Sequence, residues 1–293
     1  MLNLTKFVAC VLLLGGMIMG VSAQQKMVVA GSYANNIIII DRVSGEVEWS
    51  MDLPYSSSEG GECNSVGTTK EGNIFFSYKR GARMVDSQGE TIWDFERGSD
   101  SEEVQSISSY KSGYMVAICG TPSRFVFLNK KGEQISETTY DLELPDSHSQ
   151  FRQVRMSKKG TILIPVMGHG TLLEINRKGE KIQEIKIGGG AFSVSALSKT
   201  TALVSGGFGV KVVDLEKGEV EREVIKKSAA GVPLSFATEA MMLENGNVLV
   251  ANWQGHSNTS DIQLIEMDKD GNKVFEFAQP EKIKYVSAFD FVK

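Results

Sequence analysis

The chain has 293 residues, and its formal net charge of -5 and pI near 5.4 exclude the basic surface that nucleic-acid binding requires. Three cysteines are far too few for a disulfide-built scaffold, so a hydrophobic core must hold the fold. The length suits one large all-β domain or two ordinary ones.

The first element is a leader. "MLNLTKFVACVLLLGGMIMGVSAQQ" sets Lys6 before an apolar run from Phe7 to about Val21, followed by the small-residue exit Val21-Ser22-Ala23. That is the order of a secretory signal peptide, so residues 1–23 are expected to be removed and 24–293 to form a single exported domain, periplasmic or extracellular. No later stretch is apolar enough to span a bilayer, and no membrane span is expected after cleavage.

The exported part opens on the strand-like "KMVVAGSY" and then meets "DRVSGEVEW" at Asp41. The same pattern recurs as "DSQGETIW" at Asp86, "NKKGEQIS" at Asn129, "NRKGEKIQ" at Asn176, "DLEKGEVER" at Asp214 and "DKDGNKVF" at Asp268. In each of these six copies an acid or amide and then a glycine supply the chemistry of a tight turn between two strands. Further turns such as "TKEGN", "YKSGY", "SKKGT" and "LENGN" precede them, flanked by apolar runs such as "IFFSY", "YMVAIC" and "TILIPVM". Four short strands per repeat of about 40 to 50 residues is the content of a propeller blade.

The chain finishes on "YVSAFDFVK", from Tyr285, which matches the first strand of a blade, whereas "KMVVAGSY" matches a second strand with no first. Joining the two completes one blade and removes an exposed edge. The expected fold is therefore an all-β, six-bladed β-propeller of four-stranded antiparallel blades, closed by the C-terminal strand.

The spacing of Asp41, Gly45 and Trp49 resembles repeats of the quinoprotein-like, PQQ-binding-like propellers, and the blade from "ATEAMMLENGN" resembles arylsulfotransferase-type repeats. The segments "ECNSV", "QFRQVR" and "NWQGH" together resemble a group of secreted bacterial propellers. The resemblance implies a propeller. Quinone-binding members of the first family use a larger, eight-bladed ring with an adjacent cysteine pair. Six repeats and well-separated Cys63 and Cys119 therefore predict no quinone and no other cofactor.

In a propeller, the loop before each inner strand and the loop between the second and third strands share one face. This rule places His148 ("DSHSQFRQVR"), His169 ("VMGHGT") and His256 ("NWQGHSN") together. Arg152 and Arg124 bring cations to the same face, and Lys79, Arg80 and Arg83 follow in "SYKRGARM". Such a group could grip an anionic ligand. Trp253 offers a plane for stacking on a sugar, while Asn64 and Gln150, at the starts of inner strands, offer hydrogen bonds. Trp49 and Trp93, at the repeated outer-strand position, are expected to pack between blades. Glu239 and Asp290 sit on inner strands, and the sequence leaves their direction open, as it leaves open whether Cys63 and Cys119 form a bridge.

The favoured reading is a propeller binding a small anionic or carbohydrate ligand at the histidine face, through Asn64, Arg124, Gln150, Arg152, Trp253 and His256. A second reading is a hydrolase, lyase or transferase using His148, His169, His256 or Arg152. A third is a scaffold for an exported protein partner. No H-x-H or H-x-x-x-H spacing occurs, so no metal site is predicted.

Overall fold

The structure is a computed structural model that describes residues 25–32, 34–56, 62–111, 113–227, 234–255 and 262–293. The leader segment 1–23 lies outside the described residues.

Blade one contributes β1 (Lys26–Gly31), β2 (Asn36–Asp41) and β3 (Val47–Asp52). Blade two holds β4 (Val66–Thr68), β5 (Ile74–Tyr78), β6 (Gly81–Val85) and β7 (Thr91–Glu96). Blade three holds β8 (Glu103–Tyr110), β9 (Gly113–Cys119), β10 (Ser123–Asn129) and β11 (Gln134–Tyr140). In blade four these are β12 (Arg155–Met156), β13 (Ile162–Val166), β14 (Thr171–Ile175) and β15 (Lys181–Lys186). Blade five follows with β16 (Ala191–Ala196), β17 (Thr201–Gly206), β18 (Gly209–Asp214) and β19 (Glu219–Lys226). Blade six has β20 (Ala237–Met242), β21 (Val248–Asn252), β22 (Leu264–Met267) and β23 (Lys273–Phe277), and the last strand is β24 (Val286–Phe291).

These strands form six four-stranded antiparallel sheets, a six-bladed β-propeller. Strand β24 is the inner strand of blade one and pairs with β1, Val29 facing Phe289, so the C-terminal strand closes the ring as expected. No helix among the described residues is long and apolar enough to cross a membrane.

Burial explains the strand sequences. Strands β5 (IFFSY), β9 (GYMVAIC) and β13 (ILIPV) are buried at every position because neighbouring blades cover both of their faces. The outer strands β15 (KIQEIK) and β19 (EVEREVIK) are largely exposed, and their charges oppose pairing with another chain's edge.

The recurring motif has two structural duties. Its acid or amide accepts backbone N–H groups across the turn: Asp41 Oδ1 from Val43 and Ser44 at 2.8 and 2.9 Å, and Asn129 Oδ1 from Lys131 and Glu133 at 2.9 and 3.1 Å. Its glycine turns the chain at positive φ and, in every copy but that of Gly271, also lets the turn lie against the preceding blade. Gly132, at φ 80°, abuts Trp93 so closely that an added Cβ would sit 2.6 Å from the Trp93 Cγ. Gly89 faces Trp49 in the same way, with more room. Both tryptophans therefore pack between blades, and Trp93 also meets Tyr114 at 5.5 Å between ring centroids.

Cys63 and Cys119 are free and buried in separate inter-blade clusters. Burial pushes each thiol up to about 12, so neither is a ready nucleophile.

Candidate functional site

The inner strands begin at one end of the ring, and the side chains there form a mouth. Its centre is a chain of polar contacts across blades two, three and four. Arg152 is only 3% exposed and donates from Nη1 to the backbone oxygens of His148 and Phe151, both at 2.9 Å. Its Nη2 donates to His148 Nε2 at 2.8 Å. A guanidinium has no acceptor, so Nε2 must supply the lone pair and the ring must carry its proton on Nδ1. That proton is donated to Glu103 Oε2 at 3.1 Å.

Glu103 also receives Lys79 Nζ at 2.7 Å and Gln105 Nε2 at 2.9 Å. Burial alone would raise its pKa. The hydrogen bonds from His148 and Lys79, with the charge on Lys79, outweigh that effect and bring it down to about 2. The unfolded carboxyl would titrate near 4.5, so Glu103 adds stability above that pH and loses it as pH falls toward 2. The Glu103→Gln variant is expected to show a flatter fall in denaturation midpoint than wild type when both are unfolded between pH 4.5 and pH 2.

Asn64 extends the network. Its Nδ2 donates to Glu62 Oε1 and Gln105 Oε1, each at 2.8 Å, and Glu62 lies 3.8 Å from Arg152 Nε. The Asn64 Oδ1 is buried with no hydrogen-bond partner among the described residues. A buried acceptor left open in an otherwise paired network is costly unless something donates to it.

The other expected residues are placed differently. Gln150 spends its whole amide on the fold: Oε1 accepts from Gly120 N and Ser123 Oγ, and Nε2 donates to the Gly120 and Leu144 oxygens. It clips the blade three turn to the segment before β12 and has nothing left for a ligand. Arg124 is held between Glu102 at 2.8 Å and Glu137 at 2.9 Å. His169, in the turn between β13 and β14, faces the outer strand of blade four, with Nδ1 4.0 Å from Glu184 on β15. His256 lies outside the described residues.

The expected surplus of cations is also neutralised locally. Lys79 pairs with Glu103, Arg83 with Asp94, and Arg152 faces Glu62, while Arg80 lies over the Tyr55 ring at 4.5 Å. Sequence reasoning identified the cations but missed their partners Glu62 and Glu103, and Gln105, which joins Glu103 to Asn64. An isolated acid on an inner strand has no spacing signal, and the pairing arises only when adjacent blades meet.

Both ring nitrogens of His148 are engaged, so the imidazole has no lone pair to offer a substrate while Arg152 holds it. It is a link between Glu103 and Arg152. Among the described residues, no group of three or more His, Cys, Asp or Glu side chains is arranged to hold a metal ion.

An aromatic ledge adjoins this polar network at the same end of the ring. Phe192 meets Phe236 edge-on at 5.8 Å, and Phe236 meets Trp253 edge-on at 5.9 Å. The ledge is tied to the axis because Gln153 N donates to Phe192 O at 2.9 Å. Gly190 and Gly207 pack against Phe236, which gives the glycine-rich loops a packing role.

Below the mouth the axis is crossed. Gln153 Nε2, in blade four, donates to Ser287 O at 3.1 Å in the diametrically opposite blade one. Arg155 Nη2 donates to Gln153 Oε1 and to Glu239 Oε1 in blade six, each at 3.3 Å, and its Nη1 reaches Ser106 Oγ in blade three at 3.2 Å. Glu239 Oε2 accepts Phe289 N at 2.8 Å. Four blades thus meet on one guanidinium–carboxylate pair.

Comparison with known proteins places this architecture. A protein of unknown function from Bacteroides caccae is 32% identical, with a TM-score of 0.84 over 91% of this chain and 98% of its own. Virginiamycin B lyase from Staphylococcus aureus is 12% identical, with a TM-score of 0.58 over 85% of this chain and 79% of its own. The Pan2 WD40 domain of Neurospora crassa is 15% identical, with a TM-score of 0.57 over 92% of this chain and 86% of its own. The last two likenesses show the propeller fold alone, and the likeness to quinoprotein-type repeats stays one of repeat pattern. No curated protein matches the chain. The model of Mal s 1 allergenic protein-like sequences matches residues 25–272, from the edge of β1 to the last turn of blade six. With that span covered and a relative sharing the ring almost end to end, the chain belongs to the Mal s 1 allergenic protein-like family.

Proposed function

We propose that this chain is an exported binding propeller whose mouth takes an uncharged glycan end. The leader-like order of the first residues supports export. The observation that carries the binding proposal is the pairing of a charge-balanced polar network with the Phe192–Phe236–Trp253 ledge. Because the cations at the mouth already face carboxylates, a free anion gains little there. A sugar suits the mixture better: its hydroxyls both donate and accept, one of them could donate to the open Asn64 Oδ1, and its C–H face can lie on an aromatic ring.

The test is a screen of the mature protein on immobilised neutral and acidic glycans, followed by calorimetric titration of the best binder. Trp253→Ala is expected to weaken that binding about tenfold or more, equivalent to about 1.4 kcal/mol. Arg124→Ala, whose partners are Glu102 and Glu137, is expected to leave affinity within about twofold. Absence of any glycan binder, or binding indifferent to Trp253→Ala, would overturn the proposal.

A further inference from the structure

The crossed axis leaves a second space at the far end of the ring. Where the inner strands finish, a cavity of about 190 Å³ is lined by Ser108, Ser109, Ser195, Arg155, Glu239, Asp290 and Lys293 among others. Ser109 and Lys293 are exposed, so the cavity reaches solvent, while Gln153 and Arg155 stand between it and the mouth. At roughly 30 Å³ per water molecule, it has room for about six waters or for one small molecule.

Two observations point to a ligand. Ser108 is 6% exposed, lines this cavity, and its Oγ has no hydrogen-bond partner among the described residues. A buried hydroxyl left open in this way is costly unless a hydroxyl of a ligand or a water meets it. The second is the charge pattern. Glu239 lies 3.3 Å from Arg155, and Asp290 lies 3.3 Å from Lys293, so each carboxylate is already balanced. Arg155 spends both terminal nitrogens on protein acceptors. Little is left to hold a net charge, whereas hydroxyls and the remaining carboxylate lone pairs can both give and receive hydrogen bonds. Apolar walls, Phe289 among them, match the C–H surface of such a molecule.

We propose that this cavity is a second binding site, for a free uncharged polyol of about four to six carbons, separate from the glycan mouth. The Ser108 hydroxyl anchors the ligand, and Glu239 and Asp290 accept from its other hydroxyls. Gln153 and Arg155 close the inner end, so a ligand enters only from the solvent side and cannot thread through to the mouth.

Xylitol is the probe, followed by saturation-transfer NMR on the full mature chain at millimolar concentrations. Wild type is expected to show saturable binding. Ser108→Ala removes one hydrogen bond and is expected to weaken it about fivefold. Ser195→Leu, from a partly exposed position, fills the cavity and is expected to abolish it. Trp253→Ala, at the other end, is expected to leave xylitol binding unchanged, so failure at the mouth and failure here are read separately. No saturation transfer to wild type, or transfer insensitive to both serine variants in folded protein, would overturn the proposal.

Discussion

Replacing Arg155 with alanine is expected to destabilise the protein by about 3 kcal/mol, the low end of the cost of removing one partner from a buried ion pair, because the guanidinium itself is only partly buried. The guanidinium binds groups from blades three, four and six, and its partner Glu239 takes a backbone N–H of blade one. The loss would leave Glu239 buried without its counter-charge, pushing its carboxyl further up so that it takes a proton, and would release the Ser106 and Gln153 side chains. Denaturant unfolding of wild type, Arg155→Ala, Glu239→Gln and the double variant measures this. The double variant is expected to lose less than the sum, because Glu239→Gln removes the acid that Arg155→Ala leaves without its partner.

The same pair carries a pH signature opposite in sign to that of Glu103. Burial pushes the Glu239 carboxyl up, the charge on Arg155 and the Phe289 N–H offset part of the rise, and it settles at about 7. Unfolded, it would titrate near 4.5, so between these values the folded state binds the extra proton. Stability from this group is therefore lost as pH rises from 4.5 through 7. Glu239→Gln is expected to flatten that interval while leaving the acid limb controlled by Glu103.

Gly132→Ala is expected to cost about 2 to 4 kcal/mol, combining the penalty of a left-handed backbone with overpacking against Trp93. Gly246 provides the contrast. It has φ 85° but nothing within 4 Å of an added Cβ, so Gly246→Ala is expected to cost about 1 to 2 kcal/mol from backbone strain alone. Unfolding both variants under the same conditions separates the turn's conformation from its role in blade packing. Equal losses would mean that the close approach of Gly132 to Trp93 contributes nothing.

That contrast also shows why the fold could be read from the chain. A motif such as "NKKGEQIS" carries local chemistry, an amide that caps the turn and a glycine that bends it, and six copies count the blades. Ring closure was equally visible, since β24 and β1 are complementary fragments of one blade. The site was less accessible. Arg152 and Asn64 were recognised, and the structure brings them together with His148, but Gln150 and Arg124 looked equally available. Their fates depend on Gly120, Leu144, Glu102 and Glu137, which reach them only through blade assembly. Gln153 and Arg155 lie in the same "QFRQVR" segment, yet nothing in their spacing shows that they cross the axis.

A crystal structure of the mature protein with its best glycan binder tests the central claim most directly. The account predicts a terminal sugar with one face on the Trp253 ring and a hydroxyl donating to Asn64 Oδ1, above an intact Arg152–His148–Glu103 chain. A sugar seated instead on the outer rim beside His169, or bound only after that chain has broken, would contradict it.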